Sequence, residues 1–234
     1  MAATTRTATP GTTTNGPPLA PLAVVTLGLM VAAVVAGVVL AGGDIFPLPY
    51  SAGTAVQTWL TEHSSSARAV AVLQFGASVP LAIYAATANA RLHRVGVRAP
   101  GANIAFAGGL LASAFLALSA LFEWTLSRPE TIAVPGLLHP LYDLVYLTGG
   151  VAHVVPLGLL VAGIAVPGLI VRLLPRWLAV TGLVIAAVAE LSTFSLLWVG
   201  ASVLLPIARF PALIWLVVAG ALLPTNRHQV RQEG

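Results

Sequence analysis

Six apolar runs, each of about 20 residues or more, occupy most of the chain, and few charges interrupt them. A helix rising about 1.5 Å per residue needs that length to cross a hydrocarbon core of roughly 30 Å. A soluble fold could not hide so much apolar surface. Hydrophobic residues make up 58% of the 234 and charged residues 8%, against roughly 25% charged in an ordinary soluble domain. The runs are continuous rather than alternating, so they read as helices that satisfy their own backbone in lipid, not as strands of a barrel. The expected fold class is all-α: an integral membrane bundle of six transmembrane helices with both termini cytoplasmic.

The spans are expected at about 19–41, 69–90, 102–122, 142–166, 177–199 and 204–223. Pro80 is expected to kink the second, and Pro140 to stand at the start of the fourth. Gly200-Ala201-Ser202 marks a tight hairpin between the last two. The longest connection, from Gly43 to Arg68, has the makings of a short surface helix near Thr54–Glu62. Residues 1–18 are rich in Thr, Pro and Gly and read as a disordered cytoplasmic tail. Residues 19–224 form the transmembrane domain, and 225–234 a second cytoplasmic tail. Val39-Leu40-Ala41 fits a signal cleavage site, but the apolar run before it is longer than a signal's and its basic flank is weak, so the first span reads as retained.

Arginine sets the orientation. All basic residues are Arg. With the N-terminus inside, Arg6, Arg91, Arg94, Arg98, Arg172, Arg176, Arg227 and Arg231 fall in the cytoplasm, Arg68 and Arg128 fall outside, and Arg209 lies within a span. The reverse orientation would invert the excess. Trp59, Trp124, Trp177 and Trp198 are placed where an aromatic belt would lie.

Against so apolar a background, each polar residue inside a span is a candidate. Glu190 lies about 20 Å into the fifth span and Arg209 about 8 Å below the opposite surface, so the two reach matching depth on adjacent antiparallel helices. They are expected to form an intramembrane ion pair. Small-residue ladders mark helix contacts: Gly182, Ala186, Glu190 and Thr193 in span five; Gly108, Ala112, Ser119 and Glu123 beside Ala105, Gly109, Ser113 and Ala117 in span three; Gln74, Ser78, Ala82, Ala85 and Asn89 in span two. In span four, Tyr142, Tyr146, Gly149 and His153 share a face. Gln74, Glu123, Asp143 and His153, together with the Glu190–Arg209 pair, are therefore expected to line one outward-facing polar cavity. His139 and Asp143, four apart, with Glu123 or Glu130 as a third ligand, form the one metal-like spacing. His153 has no second mid-span histidine to complete a haem site, and no cofactor is expected.

Other chemistry is excluded by what the sequence lacks. There is no cysteine, hence no disulfide or thiol chemistry, and neither a phosphate-binding glycine loop nor a nucleophile elbow occurs. The arginines are scattered, so the basic charge does not point to nucleic acid. The expected partners are the lipid bilayer and a membrane-protein subunit or a second copy.

Leu174-Pro175-Arg176-Trp177-Leu178-Ala179-Val180 opens the fifth span, and Ala208-Arg209-Phe210-Pro211-Ala212-Leu213-Ile214-Trp215-Leu216 lies in the last. These segments resemble bacterial multi-pass membrane proteins of domain-of-unknown-function families common in actinobacteria. Position 179 holds Ala where those proteins commonly have Gly. The resemblance covers the last third, implies a six-helix integral membrane protein of a bacterial plasma membrane, and carries over no functional residue. Three readings of function follow: small-solute or proton-coupled transport, with Glu190 and His153 exchanging protons; a structural or sensory subunit of a membrane complex; and an intramembrane metal-dependent hydrolase.

Overall fold

The computed structural model describes residues 16–47 and 53–225. Most of both expected tails, with Arg6, Arg227 and Arg231, lies outside the described residues. Among those described there is no strand, and six helical stretches are long and apolar enough to cross a membrane. In chain order the helices are α1 (Leu19–Leu40), α2 (Gly53–Arg94), α3 (Gly101–Leu126), the short α4 (Pro129–Ile132), α5 (Pro135–Gly149), α6 (Val151–Ile170), α7 (Arg176–Leu191) and α8 (Leu204–Leu222). Two 3₁₀ turns, Ser192–Leu196 and Val199–Val203, join α7 to α8.

The helices form a closed bundle. α3 packs on α2 and α6, α6 on α7, α7 on α8, and α8 returns to α1. Glycine makes the closest of these contacts. A Cβ on Gly108 would lie 2.7 Å from the Leu160 amide nitrogen and the Pro156 carbonyl oxygen, and one on Gly163 would collide with the Ala105 backbone. Helices in lipid gain no hydrophobic drive from meeting one another, so such backbone-to-backbone approach supplies the attraction. α1 lies at the periphery. It buries only a stripe, Leu19, Ala23, Thr26, Met30 and Ala33, while Val24, Val31 and Val35 face outward. Val72 and Val79 of α2, Leu110 and Leu121 of α3, and Val184 of α7 extend this exposed apolar belt. That is the inverse of a soluble protein's surface and fits hydrocarbon as the solvent.

Three elements differ from expectation. The second span and the proposed surface helix are one element of 42 residues, whose non-helical residue is His63 (φ −124°, ψ 28°) rather than Pro80. Its first turns are anchored because Val56, Trp59 and Leu60 are buried against Leu126, Leu138 and Tyr142, forming a second apolar cluster at one end of the bundle. Trp59 therefore belongs to a core, not to an aromatic belt; Trp124, Trp177 and Trp198 are exposed. The fourth span is broken at Gly150 (φ −85°, ψ −105°), with Pro135 at its start and Pro140 inside the helix. The fifth span stops being α-helical at Leu191 and tightens into the 3₁₀ turns.

Candidate functional site

The end cluster roofs a cavity of about 370 Å³. Met30, Ala33, Val34, Gly37 and Val38 of α1 form an apolar wall, and Val70 of α2 extends it. Phe46, Trp59 and Tyr142 supply aromatic surface. Phe46 meets Trp59 edge-on with ring centroids 4.5 Å apart and Tyr142 at 5.2 Å. The Tyr142 hydroxyl donates to the Pro47 carbonyl and pins the segment after α1 to α5. Tyr146, also on the wall, donates to the Ser202 hydroxyl at 2.7 Å and so ties α5 to the second 3₁₀ turn.

Into this chamber come polar groups from several helices: Gln74 of α2, Glu123 of α3, Arg209 of α8, and Asp44 from the segment after α1. The Gln74 side-chain amide donates to the Glu123 carboxylate at 3.2 Å. Glu123 is 8% exposed. Asp44 has its own partner, His63 Nε2, at 3.3 Å. Arg209 donates through a terminal guanidinium nitrogen to the Gly149 carbonyl, the last of α5, while its Nε is buried without a protein partner among the described residues. The break at Gly150 interrupts the helical ladder beside Gly149, and in a low-dielectric interior a carbonyl at such a break needs a donor. Arg209 supplies it, with the sign that suits the negative end of a helix.

Of the expected cavity residues, Gln74, Glu123 and Arg209 thus converge. Glu190, Asp143 and His153 do not. Glu190 is exposed on α7, and among the described residues it makes no ion pair with Arg209. The reason is helical pitch. Steps of four from Gly182 drift by about 40° each at 3.6 residues per turn, so Glu190 lies about 80° off the contact face that Gly182 begins. The buried stripe runs instead through Gly182, Ala186 and Ala189. Gly158 of α6 meets Ala189, and Gly182 meets the Trp215 ring.

His153 is 1% exposed and donates from Nδ1 to the Ala112 carbonyl at 2.8 Å, which leaves Nε2 as the remaining ring nitrogen. That nitrogen is buried without a protein partner among the described residues and lies outside the cavity lining. The expected metal triad is not assembled. His139 and Asp143 are exposed on α5, Glu123 faces Gln74 in the interior, and the described residues hold no group of three metal-ligating side chains.

Asp44 and Phe46 escaped the sequence reading because they lie in the connection after the first span, and Trp59, expected on a short surface helix, reads in the sequence as part of an aromatic belt. The signal was present in the spacing of Val56, Trp59 and Leu60, which marks one face of a helix. No known protein family, curated protein or solved structure matches this chain.

Proposed function

We propose that this chain is a multi-pass protein of a bacterial plasma membrane, of the actinobacterial type its C-terminal third resembles, and that it carries a small solute through the cavity between α1, α2, α3, α5 and α8. One observation carries the reading: Gln74, Glu123 and Arg209, from three helices, meet in an apolar-walled chamber beside a broken helix. Irregular backbone at membrane depth is tolerated where it lines a cavity, and discontinuous helices flank the binding sites of many carriers. In this reading the cavity faces the outer side and both termini lie inside, and the arginine distribution supports that orientation. Glu123, a carboxylate on the chamber wall, takes the proton-exchanging role that sequence spacing suggested for Glu190 and His153.

The chain has no cysteine, so single-cysteine variants have no background. Ala33→Cys and Val70→Cys place a thiol on the cavity wall, and Ala105→Cys places one in the α3–α6 contact. A charged, membrane-impermeant thiol reagent is added to right-side-out and to inside-out vesicles. A carrier exposes the two wall positions from both sides and never Ala105→Cys. Labelling from one side alone overturns carriage and leaves a binding pocket; labelling from neither overturns the site.

A second reading, as a subunit of a membrane complex, has its own support in Glu190. A carboxylate exposed on the outside of an apolar helix is costly against lipid, and a partner helix carrying a donor would relieve that. Cross-linking in native membranes through Glu190→Cys would capture a neighbouring chain or a second copy. Failure to capture either, with Val24→Cys on α1 as the lipid-facing reference, counts against that reading.

A further inference from the structure

The cavity holds a carboxyl group and a guanidinium that do not meet. Glu123 and Arg209 both line it, yet among the described residues the close acid–base contacts are His63 Nε2 with Asp44 and Glu62, and Arg128 with Glu130. Each of the two is steadied by a neutral group instead: Glu123 accepts from the Gln74 amide at 3.2 Å, and Arg209 donates to the Gly149 carbonyl. Neither neighbour brings a charge of its own. The Gln74 bond occupies one site on a carboxylate that can accept about four hydrogen bonds, and Arg209 Nε is buried with no protein partner among the described residues. Asp44, the other carboxylate at the cavity, is exposed, lies 3.3 Å from His63 Nε2 and makes no ion pair with Arg209 among the described residues.

A carboxyl and a guanidinium that face one apolar chamber without each other are each expensive to hold in charged form. A ligand that carries the complementary pair would satisfy both and add no net charge to the interior. A purely anionic ligand would repel Glu123, and a purely cationic one would repel Arg209. The remaining wall is aliphatic from α1 and aromatic from the roof, which suits an apolar body. The volume of about 370 Å³ lies within the range of single small-ligand sites.

We propose that the cavity binds a small apolar zwitterion of amino-acid type. Its ammonium sits on Glu123, its carboxylate on Arg209, and its aliphatic body against Met30, Ala33 and Val34. A guanidinium suits a carboxylate because it keeps several N–H donors, and the bond to Gly149 engages one terminal nitrogen of Arg209. The proposal rests on the reading of the cavity as a solute site and narrows that solute's class.

Trp59 stands in the cavity wall and reports on its contents. Intrinsic tryptophan fluorescence and thermal unfolding of the detergent-solubilised full chain are followed during titration with three probes: L-leucine, its ammonium half 3-methylbutylamine, and its carboxylate half 4-methylpentanoate. L-Leucine is expected to bind at least about tenfold more tightly than either half. Glu123→Gln weakens L-leucine and 3-methylbutylamine and spares 4-methylpentanoate. Arg209→Gln gives the reverse pattern, and Arg209→Lys, which keeps the charge, retains part of the carboxylate binding if Arg209→Gln fails to fold. If 4-methylpentanoate matches L-leucine, the site is one for anionic amphiphiles and the proposal falls. If 3-methylbutylamine matches it, the site is one for organic cations and the proposal falls equally. If no probe binds, the amino-acid class is overturned. The cysteine-accessibility experiment needs no ligand, so it judges the cavity separately.

Discussion

At the scale of single residues, charge in this chain is placed by what lies within reach rather than by depth alone. Span arithmetic gives Arg209 and Glu190 matching depths, but Arg209 finds a carbonyl at a helix end and Glu190 rotates out of the contact face. Glycine shows the same locality. Gly163→Val forces a side chain onto the Ala105 backbone and should cost about 1–3 kcal/mol, the usual range for overpacking, read as a lower unfolding temperature in detergent. Gly28→Ala, in the same apolar background, has nothing within 4 Å of the new Cβ and should be neutral or stabilise by up to about 1 kcal/mol. At the surface, the Glu130 carboxyl is held below its ordinary value by its own backbone N–H and then by Arg128, whose Nε is 3.3 Å away. A depressed carboxyl stabilises the folded state above its unfolded value, and this is lost as pH falls through the folded one. Carbon NMR of Glu130 should therefore show its midpoint on the acid side of a free glutamate, and Arg128→Ala should move it part of the way back.

At the scale of elements, two helices depart from a simple crossing, and both departures build the site. α2 is longer than a bilayer requires, and its extension before His63 brings Trp59 over the chamber. The α5–α6 break brings a carbonyl to Arg209. A Cβ on Gly150 would lie 2.5 Å from the Tyr146 carbonyl oxygen, so Gly150→Ala must shift the break. The expected outcome is a loss of about 1–3 kcal/mol in denaturant unfolding and altered labelling of Val70→Cys on the cavity wall. Trp59→Ala removes a nearly buried ring from the end cluster and should cost about 3 kcal/mol or more by the same measurement.

At the scale of the molecule, the bundle is closed by its first and last helices. A Cβ on Gly220 would lie 2.9 Å from Leu19 Cβ, so Gly220→Leu should loosen α1. Proteolysis in detergent should then release α1 earlier than in the parent chain, with α2–α8 still resistant. The alternation of spans gathers Arg91, Arg94, Arg98, Arg172 and Arg176 at the end of the bundle opposite Arg68 and Arg128. Arg98→Cys should react with an impermeant reagent from the cytoplasmic side, and Arg128→Cys from the other.

The number of spans, their helical nature and the arginine asymmetry were legible in the sequence because apolar length and charge placement are local properties. So was the face of α3 that carries Gly108, Ala112, Ser119 and Glu123, all of them buried. The ladder in α7 misled because its four-residue step outruns the helical turn and needs a neighbour to show where contact ends. The roof over the cavity and the partner of Arg209 depend on residues far apart in sequence: Trp59 with Tyr142, and Arg209 with Gly149. A bilayer's demand for apolar length is written along one helix. Which polar groups meet inside depends on helix rotation, on the break at Gly150 and on the kink at His63, and those are settled only when the helices pack.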